Sequence, residues 1–487
     1  LMFKEELYRR GFPSELFDSA GNEAGTFGRL PESQPPDHVA NNASLWMDRQ
    51  LLDAYGYKDK PVTQCYEITY PCTNPGKLTD RVQANHMVRH ALHSLAWGVP
   101  EIKVGLIADV GNSYYFSNWG ASGFCRQQPE MSVKPSFVSF ATMTRVLDGA
   151  KFSRDVPLGS PSLYALEFTR PDGSKAYALW TIRGQRPLTL SVNGGSWTLV
   201  DDQGNEQALA IRGGKLSLTV SPATAYLVGK GTLTACAPGA PVYTDAPKDK
   251  AAKLSPLASM DEWRVETERD AELETFTFMT PRRLGKFAFE PVAAFEGQQN
   301  VLKVTPQPLD YGKATMPMYA EMVHKQGIPV PGTPTEIGLW VNGNSGWGRI
   351  IYELTDASGQ RWISLGAQQG GDLSTWLQDW MPKDVLAEYK APGLSDWNTE
   401  DVFGISRINY DGWRYLSFPL PGNYPGEGSP WPANSQWRWD KDGVVHYPFT
   451  LTKLVVELPE KTLHVKDFSP APRPEFYLKD LVTSEGP

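Results

Sequence analysis

The chain has 487 residues, which is too long for one hydrophobic core and predicts about two to four domains. Its net charge of −8 argues against a nucleic-acid partner, which would require a basic stripe, and equally against an anionic membrane surface. No stretch approaches the roughly 18 consecutive apolar residues of a membrane-spanning helix. The abundant Trp, Tyr, Phe, Gly and Pro are typical of β-rich proteins with sugar-facing surfaces or aromatic cores.

Residues 1–150 alternate between helical and strand-like patterns. The first residues predict the end of an amphipathic helix closed by Gly11, so we expect the chain to be cut from a longer protein. Strands that alternate with helices predict parallel βαβ units. Three strands are too few for a complete (β/α)8 barrel, so this region is predicted to be the C-terminal part of one. The strand patterns cover residues 15–21, 61–67 and 102–108, and the later helical patterns cover residues 37–55, 79–97 and 134–147.

Residues 151–235 change to the period of antiparallel strands. Strand patterns at 163–168 and 176–180 flank a Pro-Asp-Gly turn at 171–173, which predicts a hairpin. Further short strands, broken by Gly- and Asn-containing turns, make this region a small β-sandwich. Residues 236–258 are rich in Ala, Pro and Lys and are predicted to be a linker.

Residues 259–487 are predicted to form a β-jelly-roll or sandwich without a long helix. The stretch from 371 to 439 is a long Trp- and Pro-rich insertion, and such loops are more often functional or disordered than idle. The predicted fold class is therefore multidomain: a partial (β/α)8 barrel, an antiparallel β-sandwich and a β-jelly-roll. The strand patterns of the last domain cover residues 337–341, 349–354, 361–365, 413–418, 451–456 and 475–481.

Glu67 is the strongest catalytic candidate because it ends a predicted parallel strand and is followed by a loop. In a (β/α)8 barrel the carboxyl ends of the strands line the active site. A carboxylate placed there can act as a nucleophile or a general base. The structural alternative is a Glu that forms a salt bridge at a strand end.

The run from Lys60 to Glu67 resembles the seventh strand of the large clan of retaining glycoside hydrolases, which includes the xylosidase- and iduronidase-like families. Residues 134–150 resemble the final helix of that clan, and residues 164–180 resemble the sandwich that commonly follows its barrel. The resemblance covers about half of the chain. It implies that Glu67 is the nucleophile and that the barrel acts on carbohydrate.

The same resemblance implies that the acid/base Glu follows an Asn at the end of strand four, ahead of Leu1. Asn22-Glu23 is a comparable pair, but it follows the predicted sixth strand, so Glu23 is expected to contact substrate or to shape its loop. Asp18, at the end of that strand, is a second substrate-binding candidate. Because retaining hydrolysis needs two carboxyl groups about 5–5.5 Å apart, the missing barrel half must come from the same parent chain or from a second chain.

Aromatic residues near the predicted strand ends are candidates for sugar stacking. Trp119, in the loop after the last barrel strand, resembles the sugar-stacking aromatic of the clan, and Tyr70 and Tyr115 are weaker candidates. The C–H face of a sugar packs on an aromatic ring while its hydroxyl groups remain free for hydrogen bonds. The alternative is that Trp119 plugs the mouth of the barrel.

Histidines and cysteines give no strong metal signal. His86, His90 and His93 share one helical face, but no H-E-x-x-H motif is present, so they are predicted to be solvated or capping residues. The four cysteines lack C-x-x-C spacing, which argues against a zinc site. Cys72 and Cys125 lie in predicted neighbouring loops, and their pairing is left open.

Short runs in the last domain, including Gly346-Trp347-Gly348 and residues 476–481, resemble jelly-roll carbohydrate-binding modules. Such modules often hold a structural Ca²⁺ with acidic side chains and carbonyl groups. The resemblance implies that Asp480, on the terminal strand, is a calcium ligand. Trp340 and Trp413 are interpreted as core residues in preference to a ligand platform.

The leading hypothesis is part of a secreted or cell-surface glycoside hydrolase that acts on a polysaccharide or oligosaccharide without a catalytic cofactor. The alternative is a non-catalytic carbohydrate-binding or surface-structural protein in which the barrel half is a remnant. A lyase or transglycosylase on the same scaffold is a third hypothesis that the sequence leaves open.

Overall fold

The structure is a computed structural model that describes residues 2–22, 30–32, 43–64, 72, 79–110, 121–127, 130–274, 283–307, 318–364, 407–421, 438–442, 444–458 and 473–485. The described residues form two compact units, one up to residue 240 and one from residue 241. The boundary lies inside the predicted linker 236–258, in which residues 236–238 and 252–255 belong to strands. None of the described helices combines the length and the apolar character needed to cross a lipid bilayer.

The first unit begins with mixed helix and strand and continues as an antiparallel sandwich. Its helical elements are α1 (Met2–Arg9), a 3-10 turn (Ser14–Leu16), α2 (Ala43–Ala54), α3 (Asp80–Ala96) and α4 (Pro135–Leu147). Its strands are β1 (Ala20–Asn22), β2 (Val62–Gln64), β3 (Cys125–Arg126), β4 (Ser132–Val133), β5 (Lys151–Asp155), β6 (Leu163–Thr169), β7 (Lys175–Thr181), β8 (Arg186–Asn193), β9 (Trp197–Val200), β10 (Glu206–Leu209), β11 (Lys215–Val220), β12 (Ala225–Gly229) and β13 (Thr232–Pro238).

The predicted βαβ unit is present as the pair β1 and β2 with α2 between them in the chain. The two strands are parallel, and Ala20 pairs with Val62 while Asn22 pairs with Gln64. Helix α2 packs on both strands, and Leu45 and the other apolar side chains at their interface are buried. Within the described residues of the first unit, β1 and β2 are therefore the one parallel pair of strands, whereas the eight-stranded barrel remains a prediction.

Two strand predictions in this region differ from the structure, since the strand predicted at 15–21 is present only as β1 (Ala20–Asn22) and the one predicted at 102–108 is not found in the described residues. Residues 14–16 form a 3-10 turn in place of a strand, because Pro13 has the φ of −62° that starts such a turn and its carbonyl accepts a hydrogen bond from Leu16 N at 3.1 Å. Among the described residues, 102–108 form no regular strand and make only isolated bridges, such as Ala108 with Cys125. High β-propensity does not make a strand without a partner ladder.

The sandwich of the first unit confirms the predicted hairpin. Strands β6 and β7 pair in register from Leu163–Thr181 to Thr169–Lys175. They belong to a sheet with the order β10-β9-β12-β7-β6-β5, which faces a second sheet with the order β11-β8-β13. The alternating burial along β11 places its apolar side chains in the core between the sheets.

The second unit is a larger two-sheet sandwich. It contains the short helix α5 (Ala271–Glu274). Its strands are β14 (Ala252–Ser255), β15 (Trp263–Val265), β16 (Arg283–Leu284), β17 (Phe287–Phe295), β18 (Gln298–Pro306), β19 (Met318–Pro329), β20 (Glu336–Asn344), β21 (Gly348–Thr355), β22 (Arg361–Ile363), β23 (Arg407–Ile408), β24 (Asp411–Pro419), β25 (Arg438–Trp439), β26 (Thr450–Leu458) and β27 (Phe476–Ser484).

One sheet of the second unit has the order β17-β18-β27-β20-β24, with β14 beside β27. The other has the order β15-β19-β26-β21-β22-β25, with β16 beside β19 and β23 beside β21. Leu339, Val341, Leu454 and Val456 alternate along their strands and meet in the core between the sheets. The strand patterns predicted in this region fall on β20, β21, β22, β24, β26 and β27, which confirms a β-rich, multidomain chain.

Candidate functional site

The parallel pair β1–β2 positions the segment in which the catalytic residue is predicted. Since parallel strands that pair in register end at the same edge, Asn22 and Gln64 lie side by side there. Lys4 donates hydrogen bonds to the Gly21 carbonyl at 2.5 Å and to Asp48, so β1 is fixed to α1 and α2. In the chain, Glu23 follows Asn22 directly and Glu67 comes three residues after Gln64.

Most of the predicted site residues lie outside the described residues. These are Glu67, Glu23, Tyr70, Tyr115 and Trp119. Their roles remain predictions.

Asp18 is described, and its place in the chain differs from the prediction. It is exposed and lies two residues before β1, on the amino side of that strand. The predicted strand 15–21 placed it at a carboxyl end, and the 3-10 turn described above accounts for the difference. Its role in substrate binding remains a prediction without that positional support.

A buried polar cluster connects helix α3 with the sandwich of the first unit. Glu32 Oε1 lies 3.0 Å from Arg89 Nε and accepts a hydrogen bond from Trp180 Nε1 at 2.9 Å. His93 stands edge-on to the stacked rings of Tyr164 and Trp180. All of these side chains are buried, so the cluster is an internal connection between α3 and strands β6 and β7.

The ionisation of this cluster follows from its burial. Burial alone would raise the pKa of Glu32, but Arg89 and the neighbouring histidines outweigh it and lower the pKa to about 2. Burial, with a smaller contribution from His93, lowers the pKa of His90 to about 3. The prediction that His86, His90 and His93 are solvated or capping residues is therefore wrong, since all three are buried. No part of the sequence pattern placed Glu32 beside them.

A second buried network lies where the predicted last barrel strand ends. Asp109 follows Ala108 and pairs with Lys134 at 2.7 Å, and both side chains are almost fully buried. Cys72 and Cys125 are buried nearby as free thiols, and the Cys72 thiol donates to Asp80 at 2.8 Å. Asp109 directly follows the predicted strand 102–108, a position similar to that of Glu67 at the end of the predicted strand 61–67. That signal could have identified it from the sequence.

The second unit contains its own buried ionic cluster on the outer side of the β19-β26-β21 sheet. Lys453 Nζ lies 2.8 Å from Glu321, 3.0 Å from Asp270 and 3.3 Å from Glu353. Burial alone would lower the pKa of Lys453, but these carboxylates outweigh it and raise the pKa. The ammonium group thus remains charged and joins strands β19, β21 and β26 to the loop before α5.

Asp480, the predicted calcium ligand, is in contact with a cation from the protein itself. Its carboxylate lies 2.8 Å from Lys253 Nζ, and Asp480 occupies a bulge of β27 with a φ of 46°. Within the described ranges, no group of three or more His, Cys, Asp or Glu residues could hold a metal ion. The Lys253 contact favours a structural ion pair, and the calcium role of Asp480 remains a prediction.

Trp340 and Trp413 differ from their predicted core position. Both are half-buried, and the neighbours of Trp340 along β20, Leu339 and Val341, fill the core from the opposite face. The Trp340 ring packs against the Tyr415 ring, with 5.6 Å between the ring centroids. The two Trp side chains therefore lie on the outer face of the sheet because side chains alternate along a strand.

No family model matches the chain, and no curated protein matches it. Parts of the chain are similar to solved structures of low identity. A family 39 glycoside hydrolase from the gut symbiont Bacteroides cellulosilyticus WH2 is 19% identical over 46% of each chain, with a TM-score of 0.38. The catalytic domain of GH30 xylanase C from Talaromyces cellulolyticus is 10% identical, with 47% of this chain and 55% of that chain covered and a TM-score of 0.27.

A carbohydrate-binding module is also among these structures. The family 11 module of the cellulosomal cellulase Lic26A-Cel5E of Clostridium thermocellum is 9% identical, with 48% of this chain and 95% of the module covered and a TM-score of 0.24. The chain spans about half the length of the two hydrolase structures. Glycoside hydrolases and a carbohydrate-binding module are thus among the proteins to which parts of this chain are similar.

Proposed function

We propose that this chain is the C-terminal part of a retaining glycoside hydrolase with Glu67 as its nucleophile. The observation that carries the proposal is the register of β1 and β2, which end together at Asn22 and Gln64. Because the chain continues directly from these two strand ends, the Asn22-Glu23 and Cys65-Tyr66-Glu67 runs both begin at one edge of a parallel sheet. A (β/α)8 barrel of the retaining glycoside hydrolase clan requires such a βαβ unit at its sixth and seventh strands, which are the strands that this segment is predicted to supply.

In the proposed mechanism Glu67 attacks the anomeric carbon, and the bond to the leaving-group oxygen breaks as a second carboxylic acid protonates that oxygen. Water then hydrolyses the glycosyl ester, and the second residue acts as its base. That acid/base residue is proposed to lie in a barrel half outside residues 1–487. Glu23, Asp18, Tyr70, Tyr115 and Trp119 are proposed to contact the sugar.

The test replaces Glu67 in the protein that carries the complete barrel. With 4-nitrophenyl glycosides as substrates, E67Q should lower kcat by about 10³-fold or more, because the covalent step loses its nucleophile. Sodium azide should restore turnover to E67A and yield a glycosyl azide of inverted configuration. E15Q, which changes an exposed Glu in the 3-10 turn, is the matched control and should retain full activity.

Unchanged hydrolysis by E67Q would remove Glu67 from the mechanism. Loss of activity without azide rescue would assign Glu67 a structural role instead.

A second candidate function is carbohydrate binding by the second unit without catalysis. The half-buried Trp340 and Trp413 on the outer sheet face favour it, since exposed indole surface suits the C–H face of a sugar. A parent protein that binds oligosaccharides but hydrolyses none of the glycosides would support this function over the first. Either function is proposed to operate outside the cell or at its surface.

A further inference from the structure

The carbonyl oxygen of Ala121 is the centre of a buried hydrogen-bond network in the first unit. It accepts from Lys134 Nζ at 3.1 Å, from Gln83 Nε2 at 3.2 Å and from the backbone N–H of Cys72 at 3.0 Å. Ala121 and Gln83 are completely buried, and Lys134 and Cys72 are nearly so. Three separate segments of the chain therefore converge on one backbone oxygen.

The same lysine fixes a second point in the network. Lys134 Nζ lies 2.7 Å from Asp109 Oδ1, and that oxygen also accepts from Gly123 N at 3.0 Å. A Cβ atom at Gly123 would lie 2.6 Å from backbone atoms of Ala108 and Asp109, so this close approach requires glycine. We call Cys72, Gln83, Asp109, Ala121 and Lys134 the Ala121 hub.

Two helices hold the hub in place. Gln83 belongs to the first turns of α3, and its Oε1 accepts from Ser136 Oγ of α4 at 3.1 Å. Lys134 is the N-cap residue of α4, and its backbone N–H donates to the Phe124 carbonyl at 2.8 Å. Helices α3 and α4 pack directly on each other. The two side-chain donors of the hub, Gln83 and Lys134, are thus anchored on rigid helices. The acceptors and the Cys72 backbone N–H belong to connecting segments.

The position of the hub in the chain gives it a consequence for the proposed site. Cys72 lies five residues after Glu67, and Asp109 and Ala121 bracket the stretch that carries Tyr115 and Trp119. The hub therefore holds the chain after the segment that bears Glu67 and on both sides of the stretch that bears Tyr115 and Trp119. A buried lysine with one carboxylate partner is also difficult to lose, because its removal leaves an uncompensated buried charge.

We propose that Gln83 and Lys134 are positioning residues for the glycosidase reaction, in that they fix the chain ends from which the nucleophile and the sugar-stacking residues extend. This inference rests on the proposed function. Neither residue needs to touch substrate. Since small misplacements of reacting groups cost up to about 10²-fold in rate, loosening these ends should lower kcat more than it weakens substrate binding.

The experiment uses Q83M and K134M in the protein that carries the complete barrel. Q83M keeps the side-chain volume and removes the donor to Ala121, so it should lower kcat about 10- to 100-fold with little change in KM. Amide hydrogen exchange should become faster in peptides covering residues 65–71 and 111–120. The matched control is S139A, which removes the part-buried hydrogen bonds of α4 with Asp202 and Gln203 outside the hub and should change neither readout.

The outcomes separate the hub from the proposed function. If Q83M folds and neither kcat nor exchange in the two peptides changes, the positioning role is overturned, and Q83M alone decides this if K134M fails to fold. Equal effects of Q83M and S139A would also overturn it, since general destabilisation would then explain both. A wild-type parent without glycosidase activity overturns the proposed function, whereas active wild type with an unaffected Q83M overturns only the hub.

Discussion

Glu32 and His90 show how burial acts on single ionisable residues in this protein. Each has a folded-state pKa below its ordinary value: about 2 against 4.5 for Glu32, and about 3 against 6.5 for His90. The physical reasons differ, since Glu32 is stabilised in its charged form by Arg89, whereas His90 is kept neutral by burial. For both residues a depressed pKa means that the unfolded chain binds the proton more readily than the folded protein does.

This difference predicts a pH dependence of stability in the first unit. As pH falls below 6.5, unfolded chains protonate His90 while the folded state does not, so stability that is present above pH 6.5 is lost towards pH 3. Between pH 7.5 and 5 the loss should be about 2 kcal/mol. Glu32 contributes a further loss only below pH 4.5. Denaturant unfolding at several pH values measures both ranges.

The variant H90Q checks the assignment. It should flatten the pH dependence between pH 7.5 and 5, whereas H446Q, which changes a half-buried histidine paired with Asp442, should not. A wild-type stability that is constant across this range would contradict the burial of a neutral His90.

Elements of the chain were predictable from the sequence where a local pattern and its partner coincide. The hairpin β6–β7 follows from two apolar, strand-like runs around a Pro-Asp-Gly turn, and α3 and α4 follow from helical patterns. Residues 102–108 carry strand propensity but lack a partner ladder in the described chain, and Ile107 is 79% exposed. Propensity could not show this, because strand formation depends on pairing that is distant in sequence.

The candidate site was predictable to a smaller extent. Glu67 is predicted as a site residue because it ends a predicted strand, and the same reasoning would select Asp109, which follows one. Its partner Lys134 and the Ala121 carbonyl are brought to it only by the tertiary packing of α3 and α4, which leaves no local pattern. The Glu32 cluster was missed for the same reason, since Trp180 lies 148 residues away from Glu32 in the chain.

In strand β12, Gly229 lies so close to its neighbours that a single added methyl group should lower the stability of the sandwich. A Cβ atom at Gly229 would lie 2.5 Å from the buried Trp197 ring and 2.7 Å from the Ser196 carbonyl. G229A should therefore destabilise the sandwich by about 1–3 kcal/mol through overpacking, measured by denaturant unfolding. In a W197L background the same substitution should cost clearly less. Equal costs in the two backgrounds would show that the indole ring is not the source of the strain.

At the scale of the whole molecule, the chain has two hydrophobic cores that serve separate sheets. Leu188 and Leu190 belong to the core of the first unit, and Leu454 and Val456 belong to the core of the second. Every described strand from β14 to β27 pairs with another strand of that set, and β14 near the start of the set pairs with β27 at its end. The second unit thus closes on itself, as expected of a domain that folds independently.

We therefore expect two unfolding transitions that respond to different substitutions. L190A removes buried side-chain volume from the first core, and L454A removes it from the second, each at a cost of about 2–5 kcal/mol. In calorimetry each variant should shift one transition and leave the other in place. A chain of residues 241–487 produced alone should unfold cooperatively at the midpoint of the transition that L454A shifts. If both variants move a single common transition, the two cores unfold together, and the cavity made in either core is felt by the whole chain.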